Sequence, residues 1–283
     1  MATTRGNKKK TTGDLYSAPE LAKLGLTQED LLEIYSNMLL IRTLDERIWM
    51  MNRQGKAAIV ASCQGHEAAQ MGAVWALRTA PNAAYYPYYR DLAMVISAGV
   101  KPVETLCGFL AKEGEPFSGS RQFANQGAIP ELGLYNFSNV VSTQVTHAVG
   151  HALASKVTND KTVTITTFGD GGASQGEVHE AMNFAAIHKL PIIFFCENNK
   201  YAIYTHQSKR LSGDDIYKKA STFGIKAEKL SKDDTLSVFN ETDKILKSMS
   251  KESTPHLLEI DTHRWFDHVG VGTSNEFKYR DES

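Results

Sequence analysis

The chain has 283 residues and a formal net charge of −1, and 22% of its residues are charged. This length is sufficient for one large α/β domain with a complete hydrophobic core. Acidic and basic residues are mixed along the chain, so the composition does not indicate a nucleic-acid or membrane-surface partner. No apolar run reaches the roughly 18 residues that are needed to cross a bilayer.

The three cysteines, Cys63, Cys107 and Cys196, are odd in number and lack metal-site spacing, which favours a reduced, cytoplasmic setting. Cys196 is predicted to lie in the core. Residues 1–26 are predicted to form a basic flexible tail without the apolar segment of a secretory signal. If they belong to an organelle-targeting sequence, the location would be the mitochondrial matrix or a plastid. The remainder, 27–283, is predicted to form a single domain.

The first predicted element is a long helix from Thr27 to Met51, because apolar residues recur there with helical spacing and Thr27 suits the N-cap. Arg42, Asp45, Glu46 and Arg47 lie close together on this helix. We expect them to form a solvated ion-pair network.

A second helix is predicted to open near residue 62 and to end at about residue 78. His66 and Glu67 lie at its start. These two side chains either face a substrate channel or cap the helix, and the sequence supports both interpretations equally.

An aromatic cluster, Tyr85 to Asp91, follows the second helix. One interpretation is a surface strand with a salt bridge. The alternative is a phosphate contact through Arg90, because the guanidinium group binds phosphate with two parallel hydrogen bonds.

A long stretch without periodicity runs from Glu113 to Asn136. Loops of this length are usually functional or mobile. A helix rich in small residues is then predicted over 140–156. Ser142 and Gln144 lie at its start, where their side chains could serve as caps.

The stretch from residue 162 to residue 205 predicts a strand, a helix and a second strand. The first strand ends in Gly169-Asp170-Gly171-Gly172, and the second ends in Glu197-Asn198-Asn199. Ser174 and Glu177 have capping-box spacing, which predicts the helix start. A crossover of this length makes the strands parallel, so Asp170 and Asn198/Asn199 should reach the same carboxyl edge, where such sheets bind ligands.

Asp170 and Asn199 offer the oxygen ligands that Mg²⁺ prefers, and the neighbouring glycines would let a phosphate approach the backbone. The following helix start would add amide donors for an anion. Gly-Asp-Gly alone is also compatible with an ordinary βαβ turn. Because Ser174 occupies the third glycine position, the stretch is not the dinucleotide fingerprint, and no Gly-Lys-Ser/Thr of a P-loop follows.

A second strand–helix–strand unit is predicted over 226–230, 234–249 and 255–261. Alternating strands and helices predict an α/β fold with a doubly wound, mostly parallel sheet and helices on both faces. The last strand would deliver the segment Thr262 to Gly270, which contains His268, to the same carboxyl edge.

Gly-Asp-Gly after one strand and Asn-Asn after the next resembles the thiamine-diphosphate motif of the transketolase-like superfamily. The longer segment FGDGGASQGEVHEAMNFAAIHKLPIIFFCENNKYAI is similar to the alpha subunit of thiamine-dependent 2-oxo acid dehydrogenases, particularly the branched-chain type. The resemblance implies a thiamine-diphosphate-binding fold. It also implies Mg²⁺ held by Asp170, Asn199 and the carbonyl oxygen of Tyr201.

The resemblance also implies roles for residues outside this segment. His268 would be catalytic and would contact the cofactor diphosphate, and Ser142 and Gln144 would lie beside the aminopyrimidine and a possible K⁺ site. The complete set of implied cofactor-binding residues is Tyr89, Arg90, Ser142, Gln144, Gly169, Asp170, Gly171, Gly172, Asn199 and His268.

The chain departs from the family pattern at several positions. His66 replaces a glutamine, and Gln126 replaces a histidine, which puts histidine chemistry from loop 113–136 in doubt. Val269 replaces a serine, so phosphorylation at that position is not expected. Relatives continue beyond Ser283, which suggests a short or truncated form.

The implied function is oxidative decarboxylation of a small 2-oxo acid, branched-chain in preference to pyruvate. The acyl group would pass to the lipoyl acyltransferase of a complex, and a beta subunit would complete the site in an α2β2 heterotetramer. An acetoin dehydrogenase alpha subunit and a non-catalytic chain that only binds a beta subunit are the alternatives.

Overall fold

The computed structural model describes residues 18–270, apart from residues 125, 136, 138 and 214. The ends of the chain, 1–17 and 271–283, lie outside the described residues, and the predictions made for them lie there too. The described chain divides into two compact units, which comprise residues 18–36 and residues 37–270.

The first unit contains helix α1, Ala18–Leu24, and the beginning of helix α2, Gln28–Arg53. The predicted flexible tail of residues 1–26 therefore ends in a helix. Thr27 caps α2 as predicted: its backbone N–H donates to Asp30 Oδ2 at 2.8 Å, and its Oγ1 accepts from the Asp30 N–H at 3.1 Å.

The second unit contains the later part of α2 and an alternation of helices and strands. The further helices are α3 Glu67–Leu77, α4 Leu92–Ser97, α5 Pro102–Leu110, α6 Thr143–Thr158, α7 Gly176–Ile187, α8 Ile216–Ser221 and α9 Thr235–Met249. The strands are β1 Asn82–Tyr86, β2 Thr162–Gly169, β3 Ile192–Asn198, β4 Tyr201–Ala202, β5 Thr205–His206, β6 Lys226–Leu230 and β7 His256–Asp261.

Five strands form one parallel sheet in the order β1-β2-β3-β7-β6, and β4 pairs with β5 in a short antiparallel ribbon. The chain advances across the sheet from β1 to β3 and moves back from β6 to β7. Because βαβ crossovers are right-handed, these opposite directions place α6 and α7 on one face and α9 on the other. The predicted doubly wound α/β fold is confirmed.

The core on the α6–α7 face consists of inward-facing residues of β1, β2, β3 and β7 that pack against α6, α7 and α8. Phe168, Phe194 and Cys196 are buried in it, so the core position predicted for Cys196 is confirmed. On the other face α9 packs against α3, where Gly72 lies so close that an added Cβ would be 2.5 Å from the Thr235 carbonyl oxygen. Both faces of the sheet are therefore covered.

The solvated ion-pair network predicted on α2 is wrong. Asp45 is only 2% exposed, and it accepts hydrogen bonds from Ser62 Oγ at 2.6 Å, the Cys63 N–H at 3.0 Å and Gln64 Nε2 at 2.9 Å. Arg42 pairs with Glu67 of α3 at 2.6 Å. Asp45 and Arg42 thus bind residues outside α2 and, within the described part of the chain, form no ion pair with each other or with their neighbours on the helix. Helical spacing does not reveal such long-range partners.

None of the helices in the described part of the chain combines the length and the apolar character that are needed to span a membrane.

We expect Asp45→Ala to lower the free energy of unfolding by about 3 kcal/mol, because three buried donors would lose their acceptor. Glu46→Ala is the matched control, since Glu46 is exposed on the same helix, and it should change stability by less than about 0.5 kcal/mol. Urea denaturation of both variants measures the difference. Equal stability of the two variants would contradict the anchoring role of Asp45.

Candidate active site

The carboxyl ends of four parallel strands meet at one edge of the sheet. Asp170 follows β2, Asn199 follows β3, Arg90 lies beyond β1 and His268 beyond β7. The strand register pairs Gly169 with Glu197, so Asp170 emerges beside the Asn198-Asn199 pair, and Asp170 and Asn199 line the same cavity. The shared edge predicted for the two residues is confirmed.

A cavity of about 190 Å³ lies at this edge, and every residue that the sequence singled out for cofactor or metal binding lines it. These residues are Tyr89, Arg90, Ser142, Gln144, Gly169, Asp170, Gly171, Gly172, Asn199, Tyr201 and His268. Position alone does not test which of them bind a cofactor, so the individual roles stay predictions.

Asp170 is fully buried, and its two carboxylate oxygens have different surroundings. Oδ2 forms an ion pair with Arg210 Nη2, whereas Oδ1 has no hydrogen-bond partner among the described residues. Burial raises the pKa of Asp170, and the charge of Arg210 opposes that shift. Sequence reasoning missed Arg210, because it lies 40 positions from Asp170.

Asn199 lies on the tight turn between β3 and β4, and Tyr201 is the first residue of β4. The Asn199 Oδ1 atom accepts from the Tyr201 N–H at 3.1 Å, and Lys200 between them has φ of 69°. The preceding Asn198 faces away from the cavity: its Nδ2 donates to Glu259 Oε1 at 2.7 Å. Of the two adjacent asparagines, Asn199 is therefore the one that can reach a ligand in the cavity.

The glycines after β2 are required by close packing. A Cβ on Gly171 would lie 2.9 Å from Ala202 Cβ, and a Cβ on Gly172 would lie 2.6 Å from Ser142 Oγ. At Gly169 the nearest atom would be 3.8 Å away. Gly171 and Gly172 thus let the β4 turn and the start of α6 approach the strand end.

The predicted capping box of Ser174 and Glu177 is wrong. A short 3₁₀ turn, Gly172–Ser174, intervenes, and α7 begins at Gly176 with Gln175 as its N-cap and without a side-chain cap. Ser174 Oγ instead accepts from Arg210 Nη1 at 2.8 Å. The Arg210 guanidinium, which is distant in the chain, therefore donates to Ser174 Oγ in place of the backbone N–H that a capping box would use.

Arg90 is 1% exposed, so the alternative of a surface strand with a salt bridge is wrong. Its Nη1 donates to the Ser62 carbonyl oxygen at 2.7 Å and its Nη2 to the His268 carbonyl oxygen at 3.1 Å. The buried Asp91 shapes the loop by accepting from the Tyr88 N–H at 2.9 Å. The guanidinium group is therefore fixed at the cavity wall by neutral acceptors and keeps its charge available for an anion.

His268 is held as a neutral imidazole. Its pKa is lowered to about 3 by burial and by the neighbouring charges of Arg90 and Arg264. Nδ1 lies 3.3 Å from Arg90 Nη2 and 3.5 Å from Arg264 Nη1. Both neighbours are donors, so Nδ1 accepts and the ring proton resides on Nε2. Arg264, which also lines the cavity, was not identified from the sequence.

Ser142 and Gln144 do not cap α6 through their side chains. Ser142 has φ of 71°, and its buried Oγ has no hydrogen-bond partner among the described residues. Gln144 Nε2 donates to the Thr167 carbonyl oxygen at 2.7 Å, which leaves Oε1 without a partner there. Two polar atoms thus remain available to a ligand in the cavity.

His66 is the N-cap residue of α3, but its side chain neither makes a capping hydrogen bond nor lines the two cavities of this edge. Its Nδ1 lies 2.6 Å from Glu197 Oε2, which also accepts from Gln70 Nε2 at 2.9 Å and from the Tyr88 hydroxyl at 3.3 Å. Burial lowers the pKa of His66 and raises the pKa of Glu197. This buried cluster holds Tyr88, which lines both cavities. In the sequence, only the position of Glu197 directly before Asn198 pointed to it.

A second cavity of about 350 Å³ adjoins the first, and the two share Tyr88, Tyr89, Val141 and His268. Its other lining residues are mostly apolar and include Leu92, Val95, Phe109, Phe123 and Phe137. Gln126 also lines it, so the irregular loop 113–136 does contribute to the site.

The residues present fit a magnesium diphosphate. Asp170 Oδ1 is a buried oxygen without a donor, and Asn199 and the Tyr201 carbonyl add neutral oxygens beside it. Arg90 and Arg264 supply fixed positive charge in the same cavity. Among the described residues no cluster of three His, Cys, Asp or Glu side chains could hold a metal, so a transition-metal site of that kind is not indicated there.

Comparison with known proteins gives a consistent assignment. The dehydrogenase E1 component family matches residues 35–282. The chain is 37% identical over 259 residues to the 2-oxoisovalerate dehydrogenase subunit alpha of Bacillus subtilis, covering 92% of this chain and 78% of that protein. It is 30% identical to the mitochondrial 2-oxoisovalerate dehydrogenase subunit alpha of Mus musculus, covering 91% of this chain and 58% of that protein.

Among solved structures, the chain is similar to the X-ray structure of a protein from Mycobacterium smegmatis that is described as a thiamin diphosphate-dependent enzyme. The TM-score is 0.43 and the identity 22%, and the match covers 69% of this chain and 31% of the other. The family match extends over most of the chain, including the strand ends that build the cavity. The chain therefore belongs to the dehydrogenase E1 component family.

Proposed function

We propose that this chain is the alpha subunit of a thiamine-diphosphate-dependent dehydrogenase that decarboxylates branched-chain 2-oxo acids. The observation that carries the proposal is the single cavity that gathers Asp170, Asn199, Arg90 and His268. Two relatives that cover more than nine-tenths of the chain are named for 2-oxoisovalerate dehydrogenase, and the chain spans 78% and 58% of their lengths.

In the proposed holoenzyme Mg²⁺ is held by Asp170, Asn199 and the carbonyl oxygen of Tyr201. Arg90 and Tyr89 bind the diphosphate, together with the backbone of Gly169, Gly171 and Gly172 and with His268. Ser142 and Gln144 lie on the aminopyrimidine side, and Ser142 Oγ and Gln144 Oε1, which have no hydrogen-bond partner among the described residues, could share a K⁺ ion. The oxygen donors and the two guanidinium groups support this arrangement.

Thiamine diphosphate, when bound, supplies the electron sink for loss of carbon dioxide. The side chains of this chain bind and orient. The neutral His268 accepts at Nδ1 from Arg90 and Arg264, which directs its Nε2–H as a donor toward substrate oxygen at the junction of the two cavities. Arg90 fixes this orientation, since its Nη2 also binds the His268 carbonyl oxygen.

The second cavity supports a branched-chain substrate. Its lining by Leu92, Val95, Phe109, Phe123 and Phe137 provides an apolar volume of about 350 Å³, more than the methyl group of pyruvate needs. Burial of a branched aliphatic side chain there would displace water and would contribute about 0.8 kcal/mol for each additional methylene group. The same apolar wall would keep water from the reacting carbon.

A beta subunit is proposed to complete the site. Among the described residues that line the two cavities the carboxylates are Asp45, Asp91 and Asp170, and no glutamate is present. Asp45, Asp91 and Asp170 are already engaged by donors of this chain. The resemblance implies that a carboxylate that activates the aminopyrimidine would come from the partner in an α2β2 assembly, and that the acyl group would pass to a lipoyl acyltransferase.

Arg90→Ala should weaken thiamine diphosphate binding at least tenfold at fixed Mg²⁺ concentration, because a charge-assisted contact to phosphate is lost. Arg53→Ala removes an exposed guanidinium at the end of α2 and is the control, with no expected change. Isothermal titration of the assembled alpha and beta subunits measures both variants. Unchanged affinity in Arg90→Ala would remove this residue from the cofactor site.

The His268 imidazole should remain neutral between pH 8 and pH 5, because the structure lowers its pKa to about 3. Its ring-proton NMR resonances, assigned with His268→Gln, are expected to stay constant over this range. In the urea-unfolded chain the same resonances should titrate near pH ~6.5. A folded-state midpoint above pH 5 would contradict an imidazole that is fixed by two guanidinium groups.

The assembled subunits should reduce an artificial electron acceptor with 2-oxoisovalerate at a kcat/KM at least about tenfold above that for pyruvate, since methylene burial favours the larger substrate. Acetoin is the comparison substrate for the alternative dehydrogenase, and the alpha chain alone should be inactive. A preference for acetoin, or full turnover without a beta subunit, would contradict the proposal.

A further inference from the structure

The guanidinium group of Arg210 is fixed beside Asp170 by several independent bonds. Nη2 pairs with Asp170 Oδ2, while Nη1 donates to the Asp170 carbonyl oxygen at 3.0 Å and to Ser174 Oγ at 2.8 Å. Nε donates to the Thr205 carbonyl oxygen at 3.4 Å. Because three acceptors besides the carboxylate hold this group, we expect it to stay in place when a metal ion binds Asp170.

Arg210 uses one of the two oxygens of the Asp170 carboxylate and leaves the other for a second cation. Oδ2 belongs to the ion pair, and Oδ1 is the buried oxygen without a partner among the described residues. A metal ion can therefore take Oδ1 while Arg210 retains Oδ2. The negative charge of Asp170, however, is already compensated by the positive charge of Arg210.

Among the described residues that line the cavity, guanidinium groups outnumber carboxylates. Asp170 is the one carboxylate among the described residues that line it, and the guanidinium groups of Arg90 and Arg264 lie in the same wall. Arg210 adds a third positive charge through its contact with Asp170. A divalent cation on its own meets a carboxylate whose negative charge Arg210 already balances, with the Arg90 guanidinium group in the same wall. A diphosphate brings the missing negative charges and reverses this balance.

We propose that Arg210 makes occupation of Asp170 by a divalent cation conditional on a diphosphate in the same cavity. This inference rests on the proposed function and deepens it: the site takes the metal and the diphosphate as a pair and rejects the bare metal. In this view Arg210 is a specificity-determining residue that acts through the charge of Asp170. It has no direct bond to the metal ion.

The test is isothermal titration of Mg²⁺ into the assembled alpha and beta subunits, first without thiamine diphosphate and then at saturating thiamine diphosphate. The variant Arg210→Gln removes the positive charge and keeps hydrogen-bonding capacity. Lys209→Gln is the matched control, because Lys209 is the exposed neighbour and undergoes the same change of charge. Arg210→Lys retains the charge with a different shape, and thermal melting verifies that each variant is folded.

In the absence of thiamine diphosphate, Arg210→Gln should bind Mg²⁺ at least about tenfold more tightly than the wild type, because a nearby repulsive charge is gone. Lys209→Gln and Arg210→Lys should behave as the wild type. Adding Asp170→Asn to Arg210→Gln should abolish the gain, which locates it at this carboxylate. The cofactor-dependent increase in Mg²⁺ affinity should be largest in the wild type and should shrink in Arg210→Gln.

Two results would overturn the inference: an Mg²⁺ affinity without cofactor that is the same in Arg210→Gln and the wild type, or a gain that persists when Asp170 is replaced. Equal gains in Arg210→Gln and Lys209→Gln would also overturn it, since the effect would then be one of general surface charge. Failure of the wild type to bind Mg²⁺ together with thiamine diphosphate is a different result. It would remove the proposed function itself and is read from the saturating-cofactor titration.

Discussion

The contact between Asp170 and Arg210 is the interaction on which the site depends. A carboxylate buried at the end of a central strand loses its hydration, a cost of several kcal/mol that must be offset by a fixed counter-charge. Arg210 supplies that charge from a segment beyond the β4–β5 ribbon and also binds the Asp170 carbonyl oxygen and Ser174. The strand end, the turn after it and the ribbon are thereby held together around Asp170 Oδ1, which has no hydrogen-bond partner in the described part of the chain.

Behind this edge a buried polar cluster fixes the loop that carries Tyr89 and Arg90. Glu197 accepts from the Tyr88 hydroxyl and from Gln70, and Asp91 accepts from the Tyr88 N–H. Burial raises the pKa of both carboxyl groups, and the like charge of the neighbouring carboxylate adds to the shift at Asp91. The loop is therefore held by hydrogen bonds from Tyr88 to the two buried carboxyl groups. These bonds place the Arg90 guanidinium against the His268 carbonyl oxygen.

The two adjacent cavities differ in the polarity of the residues that line them. The smaller one is lined by charged and polar groups and by glycines, and the larger one is mainly apolar. His268 belongs to both, with Nδ1 directed to the guanidinium groups of Arg90 and Arg264. The neutral His268 imidazole therefore provides a hydrogen-bond donor at the boundary between the two cavities. Bond breaking in a 2-oxo acid would occur at this boundary.

The amino-acid sequence by itself determined the parallel sheet and the strand ends at Asp170 and Asn199, because strand periodicity and the position of Gly-Asp-Gly are local patterns. The resemblance to a known family supplied Tyr89, Arg90, Ser142, Gln144 and His268, and it did not supply Arg264. Only the tertiary structure decided the partners. Asp45 binds Ser62, Ser174 binds Arg210, and His66 binds Glu197. Each of these pairs joins segments that are distant in the chain. Local spacing predicts a cap or a surface ion pair for such side chains, whereas burial makes a distant partner obligatory.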